Sequence, residues 1–240
     1  MPNISLQNVS VVVINYNKLG YLQKVSNRIR EIAKDIELIL SDDHSNDGSC
    51  NWARKSGLFD HVFRKTDRTP YCLSEVRNEG VRLATRDYVV LLDGDCLPEV
   101  EYFSSMLRLL NSHEEKVIAV GFTDHYDKDG KQMLLEDPRK AYLSNKGVCN
   151  IGWRDAFGGN ICFPVSVWKQ IDGFDQDFDG YWGYEDLEFA IRCGKVGIKL
   201  FGVRGMNVRH LQHPLSASIE QSNLKGRNFR LINSKHPGLL

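Results

Sequence analysis

The chain has little that would tie it to a membrane, a nucleic acid or an oxidising compartment. No stretch of its 240 residues approaches the ~20 consecutive apolar positions that a membrane span needs. Lys plus Arg number 31 and Asp plus Glu also 31, so no net field favours nucleic acid or a lipid surface. The six cysteines, at 50, 72, 96, 149, 162 and 193, form no Cys-x-x-Cys pair and are too sparse for a disulfide framework. The first residues lack the charged and apolar regions of a secretory signal. A reduced, cytoplasmic setting is therefore expected, with peripheral membrane contact as a minor alternative. No internal repeat or low-complexity linker divides the chain. No glycine-rich phosphate loop follows the first strand, since Ile14-Asn15-Tyr16-Asn17-Lys18-Leu19-Gly20 holds one glycine. That lack counts against a nucleotidyltransferase.

What is present begins with Tyr88 to Leu92, an apolar run that ends in Asp93-Gly94-Asp95 and is closed by Pro98. Two carboxylates at a strand end offer hard oxygen ligands to a divalent cation, which in turn grips a pyrophosphate. Other Asp-x-Asp pairs occur at Asp127/Asp129 and along Asp175, Asp177 and Asp179, but no such strand precedes them. Val9 to Ile14 and Glu37 to Leu40 read as further buried strands, with a helix over Leu19 to Ile32 between them. His61 to Arg64 and Val117 to Val120 suggest two more strands, and Cys72 to Ala84 and Glu99 to Leu110 two more helices. This alternation predicts an α/β fold with a mostly parallel sheet flanked by helices.

The second half is less regular. Asp124 to Asp155 is polar with few clean periods. A strand is expected over Ala156 to Phe163, helices over Pro164 to Ile171 and Leu187 to Val196, and short strands at Ile198 to Phe201 and Asn207 to His210. One continuous unit is expected, with a first part over 1–120, a second over 121–215 and a mobile or solvated tail (216–240).

Several segments, taken together, resemble glycosyltransferase family 2, of the A-type nucleotide-sugar fold. They are Asn15-Tyr16-Asn17-Lys18, Asp42-Asp43 through Asp47-Gly48, Arg77-Asn78-Glu79-Gly80 and Leu91 to Asp95. The stretch from Phe157-Gly158-Gly159-Asn160 through Gly173-Phe174 to Tyr181-Trp182-Gly183-Tyr184-Glu185-Asp186 looks like the acceptor half of the β-galactosyltransferase and N-acetylgalactosaminyltransferase group. The resemblance implies a UDP-sugar donor, with Tyr16 stacked on the base and Asp43 accepting the uracil imide. It also implies Arg77 at the diphosphate and Asp93 and Asp95 at Mn²⁺ or Mg²⁺. A histidine completes the metal shell, His210 being preferred to His213. Asp186 becomes the base, Glu185 holds an acceptor hydroxyl, and Trp182, Gly159 and Asn160 meet a sugar. The implied reaction is inverting transfer of a hexose or N-acetylhexosamine to a carbohydrate or glycolipid hydroxyl.

Plainer readings stand beside these. Asp42 and Asp43 suit a helix cap before Ser49, and Arg77 a surface ion pair with Glu75 or Asp87. Asp175-x-Asp177-x-Asp179-Gly180, with Asp186 in twelfth place, nearly fits an EF-hand loop, although that place lacks the bidentate Glu. A catalytically silent carbohydrate- or nucleotide-binding module on the same scaffold is the alternative function.

Overall fold

The computed structural model describes residues 3–67, 69, 71–127, 137, 147–211 and 218–239, with side chains from 226 onward in the last helix. Its strands are β1 (Val9–Asn15), β2 (Glu37–Asp42), β3 (His61–Arg64), β4 (Tyr88–Asp93), β5 (Cys96–Pro98), β6 (Val117–Tyr126), β7 (Val148–Ile151), β8 (Asn160–Pro164) and β9 (Lys199–Leu211). They form one sheet in the order β3-β2-β1-β4-β8-β6-β9-β5, with β7 also paired to β9. β1 to β4 are mutually parallel, as the sequence suggests. The second half is mixed, because β8 runs antiparallel to both its neighbours while β6 and β9 run parallel. The helices are α1 (Leu19–Ile32), α2 (Ser49–Ser56), α3 (Leu73–Leu83), α4 (Tyr102–Asn111), α5 (Val165–Gln170), α6 (Glu185–Lys195) and α7 (Ser218–Lys235).

The unbroken apolar run of β1 follows from burial on both faces. Val9, Val11 and Val13 pack with Leu22, Val25 and Ile29 of α1 and Met106 of α4. Val12 and Ile14, pointing the other way, pack with Val76 and Val81 of α3 and Phe189 of α6. Each such side chain stabilises the fold by roughly 1.5–3 kcal/mol. α3 lies very close to the sheet. A Cβ on Gly80 would stand 2.3 Å from Val12 Cγ1, so alanine there would push the helix off.

Two expectations change. The short strands expected at 198–201 and 207–210 are one 13-residue strand, β9. It continues past Gly202 and Gly205 because it pairs with β6 on both sides of a register shift between Val120 and Phe122. The expected boundary after residue 120 consequently falls inside β6. The tail is no free segment: α7 buries Asn228 and Ile232, the latter clustered with Phe178 and Ile191. Among the described residues no helix is long and apolar enough to cross a membrane.

Strand order reverses between β1 and β4, and open α/β sheets bind ligands at the carboxyl ends of the strands flanking such a point. Asn15 ends β1 and Asp93 ends β4 there.

Candidate active site

A cleft of about 490 Å³ opens at that switch point, lined among others by Arg77, Asp93, Gly159, Trp182, Asp186 and His210. Asp93 lines it, half-buried at the end of β4, with the buried Asp95 two residues on. Asp95 is 1% exposed, and one oxygen, Oδ2, carries both the Lys18 ammonium and His210 Nε2, the latter at 3.3 Å. Burial pushes the Asp93 carboxyl above its usual range and the charge of Asp95 adds to this, while Arg77, Lys18 and His210 oppose it. Burial also opposes the charge on His210, but its contact with Asp95 outweighs that and raises its pKa. Strand pairing sets His125 opposite His210, their rings 5.0 Å apart. Burial, and then the charge on His210, lower the pKa of His125. Two carboxylates and an imidazole are a donor set suited to Mn²⁺, and the lysine ammonium on Asp95 already marks the place as one for a cation. His213 lies outside the described residues, as does Asp129.

The loop after β2 separates its two leading aspartates. Asp42 is fully committed internally, accepting from Asn15 Nδ2 (2.8 Å), Ser45 N (2.7 Å) and Ser45 Oγ (2.6 Å). The helix cap falls to Asp47, which accepts from Ser49 N at 3.0 Å and Leu19 N at 2.8 Å. Asp43 is left with a buried Oδ1 that has no partner. Burial pushes its carboxyl up to about 6 despite the nearby ammonium of Lys65, which is itself 1% exposed. An orphaned buried acceptor of this kind is costly unless a ligand meets it. Tyr16, 57% exposed, offers a flat apolar face at the end of β1.

Of the two readings of Arg77, the plainer one fails. Arg77 makes no surface ion pair with Glu75 or Asp87; it is 3% exposed and donates from Nη1 to Glu185 at 2.6 Å. Burial opposes its charge, but Glu185, Asp93 and Asp186 together raise its pKa. Its Nε is buried without a partner, an unused donor. Glu185 thus gives Oε1 to Arg77 while still lining the cleft. Asp186, beside it in the first turn of α6, accepts from Gly158 N at 2.9 Å and Leu187 N at 2.8 Å. Burial and the neighbouring Glu185 push its carboxyl up to about 6, with Arg77 pulling the other way. The chain enters α6 through Gly183 (φ 88°) and Tyr184 (φ 75°), and the left-handed Tyr184 is a strained residue of the kind that sets side chains at working sites.

Two glycines let these charges converge. A Cβ on Gly158 would lie 2.9 Å from the Arg77 guanidinium and from Asp186 Cβ. One on Gly159 would lie 2.4 Å from Asp93 Oδ2. Asn160, expected to meet a sugar, lines the cleft, and its side chain is a buried tie. Its Nδ2 donates to Phe122 O and Met206 O, and its Oδ1 accepts from Tyr102 Oη at 2.6 Å. Trp182, expected to meet a sugar, also lines the cleft.

The aspartate ladder is not an EF-hand. Asp179 caps α3, accepting from Ser74 N (2.8 Å) and Glu75 N (2.9 Å). Asp175 and Asp177 both pair with Lys235 of α7 at 2.7 Å. Sequence reasoning missed Lys18, His125 and Asn228. Asn228 Nδ2 donates to the carbonyls of Phe178 (2.9 Å), Tyr181 (3.3 Å) and Gly183 (2.9 Å), holding the loop that carries Trp182. A lysine after Asn-Tyr-Asn was a visible signal; an asparagine in a polar helix was not.

Comparison with known proteins agrees with this geometry. The chain is 25% identical over 269 residues to chondroitin synthase of Escherichia coli, covering 97% of this chain and 39% of that one. It is 24% identical over 264 residues to validoxylamine A glucosyltransferase of Streptomyces hygroscopicus subsp. jinggangensis, covering 97% and 62%. The chain thus spans less than two thirds of these relatives' length. Among solved structures it is similar to GalNAc-T7 with UDP, GalNAc and Mn²⁺ (TM-score 0.69, 20% identity, 86% of this chain and 44% of that one). It is also similar to S. aureus TarS 1–349 in complex with UDP-GlcNAc (TM-score 0.72, 14% identity, 95% and 66%). Residues 141–214 match the model described as N-terminal domain of galactosyltransferase. Residues 10–171 match the model of glycosyl transferase family 2, and the chain belongs to that family.

Proposed function

We propose that the protein transfers a hexose or N-acetylhexosamine from a UDP-sugar to a carbohydrate hydroxyl, with inversion and with the help of a divalent cation. The observation that carries this reading is that one cleft holds both an acidic rim and a separate carboxylate, Asp186, across the Gly158–Gly159 turn. Uracil lies on Tyr16 with its imide N–H on the free Asp43 oxygen. Asp93, Asp95 and His210 would hold the cation, which would supply positive charge beside the departing diphosphate. Asp186 is ionised near neutral pH and takes the proton of the acceptor hydroxyl. That oxygen bonds to the anomeric carbon as the bond from carbon to phosphate oxygen breaks and UDP leaves. With one base and no protein nucleophile the centre inverts, so an α-linked donor yields a β-linked product. Arg77 fixes Glu185 beside Asp186 and keeps three carboxylates compatible in one buried place. The nucleotides bound in the GalNAc-T7 and TarS structures favour a UDP-sugar of hexose type.

Thermal unfolding with Mn²⁺ and a panel of nucleotide sugars tests the donor, because a ligand at 100 times its Kd stabilises by about 2.7 kcal/mol. UDP-hexoses or UDP-N-acetylhexosamines should raise Tm where ADP- and GDP-sugars do not. Release of UDP from the stabilising sugar should then require the cation. Stabilisation without any turnover across acceptors would instead favour a binding module.

A further inference from the structure

We propose that Lys18 is an internal competitor for the divalent cation, an ammonium that holds the Asp95 oxygen until a metal displaces it. The inference rests on the reading of Asp93, Asp95 and His210 as metal ligands. Asp95 is buried at 1% exposure, where an ionised carboxylate is costly without a positive partner. Lys18 Nζ provides one, on the same Oδ2 that faces His210 Nε2. A metal bonding that oxygen has to evict the ammonium. The backbone of Lys18 stays where it is, because its carbonyl anchors the first turn of α1, accepting from Leu22 N at 2.8 Å and Tyr21 N at 3.0 Å. Its side chain is a quarter exposed, so the head has open space to leave into. The arrangement keeps the site electrically satisfied when it lacks metal and lowers its affinity for free cations. An incoming diphosphate, attractive to both the metal and the displaced ammonium, would favour the exchange, so metal and nucleotide should each strengthen binding of the other.

The size of the effect follows from competition. If the Lys18–Asp95 contact is formed nine-tenths of the time, only a tenth of the molecules are ready for metal, and apparent affinity falls about tenfold. Mn²⁺ binding to the nucleotide-free protein, measured by electron paramagnetic resonance or calorimetry, is the direct readout and needs no turnover. Lys18→Met should bind Mn²⁺ about tenfold more tightly than wild type, and UDP should then improve Mn²⁺ affinity by a smaller factor. Lys18→Gln keeps a neutral donor to Asp95 and serves if the methionine variant does not fold; it should shift the same way. Lys24→Met, at a lysine lining a separate surface hollow with Arg28 and Glu99, removes an equal charge elsewhere and should leave Mn²⁺ affinity unchanged. Unchanged or weaker Mn²⁺ binding by both Lys18 variants overturns the proposal while leaving the metal reading intact. So does an equal gain in Lys24→Met, which would mean bulk charge alone. No Mn²⁺ binding by wild type or variants overturns the metal reading and this proposal together.

Discussion

Replacing Asp186 by asparagine separates the proposed base from everything else in the cleft. Its two oxygens accept from Gly158 N and Leu187 N, at 2.9 and 2.8 Å. An amide keeps one oxygen for one of these donors and turns its NH₂ toward the other. One buried N–H is left without an acceptor, costing about 1–3 kcal/mol. For a chain of this length, about 2–4 °C per kcal/mol gives a Tm lower by a few degrees, with the fold intact. Loss of a general base costs about 10²–10⁴-fold in rate, or about 3–5 kcal/mol of barrier. Asp186 is a base only when ionised, and its carboxyl sits near 6. Wild-type kcat/KM for UDP release from the stabilising UDP-sugar should therefore climb with pH through about 6 and level off above 7. Asp186→Asn should lose both the rate and this limb while binding UDP as wild type does. Turnover within tenfold of wild type, with the same limb, would refute the assignment.

The other groups predict separate outcomes. Asp43 is raised to about 6 and presents a free oxygen, so uridine affinity measured by calorimetry should increase as pH rises through about 6 and the carboxylate forms. Asp43→Asn should remove that dependence; an unchanged pH profile would deny Asp43 the base contact. Gly159→Ala forces a methyl against Asp93 and should weaken Mn²⁺-dependent UDP binding at least tenfold with Tm little changed; retained binding would show that Asp93 can move. Asn228→Ala leaves the carbonyls of Phe178, Tyr181 and Gly183 without their shared donor, a loss of about 1–3 kcal/mol seen as a lower Tm. UDP affinity should be untouched while turnover falls, since only the Trp182 loop loosens. Equal loss of UDP affinity would contradict that division.

The first half of the chain was readable because its physics is local. β1, β2 and β4 are buried on both faces and so are written as apolar runs, and α1 ends where the heptad-like spacing of Leu22, Val25, Ile29 and Ile32 ends. The acidic rim was visible for the same reason, as carboxylates placed where an apolar run stops. What was hidden depends on partners far along the chain. β9 looks broken at Gly202 and Gly205 because its continuity comes from β6, and β5 and β7 are short edges that exist only as partners of β9. The tail looked solvated because its anchor is Asn228, a polar residue satisfied by three carbonyls nearly fifty positions away. The EF-hand pattern in Asp175, Asp177 and Asp179 fails because α3 and Lys235 take those oxygens, which spacing alone does not reveal. The plainer reading of Arg77, a surface pair, fails because Glu185, 108 positions on, is brought against it.

The claim on which the account turns is that the ends of β4 and β9 form a cation site for the donor diphosphate. Crystals grown with UDP and Mn²⁺, with data collected at the manganese absorption edge, test it most directly. One anomalous peak bonded to Asp95 and His210 is expected, with Lys18 Nζ withdrawn from Asp95 and the diphosphate on the metal. Ordered UDP with manganese elsewhere, or with Lys18 still on Asp95 and no metal beside it, would contradict it.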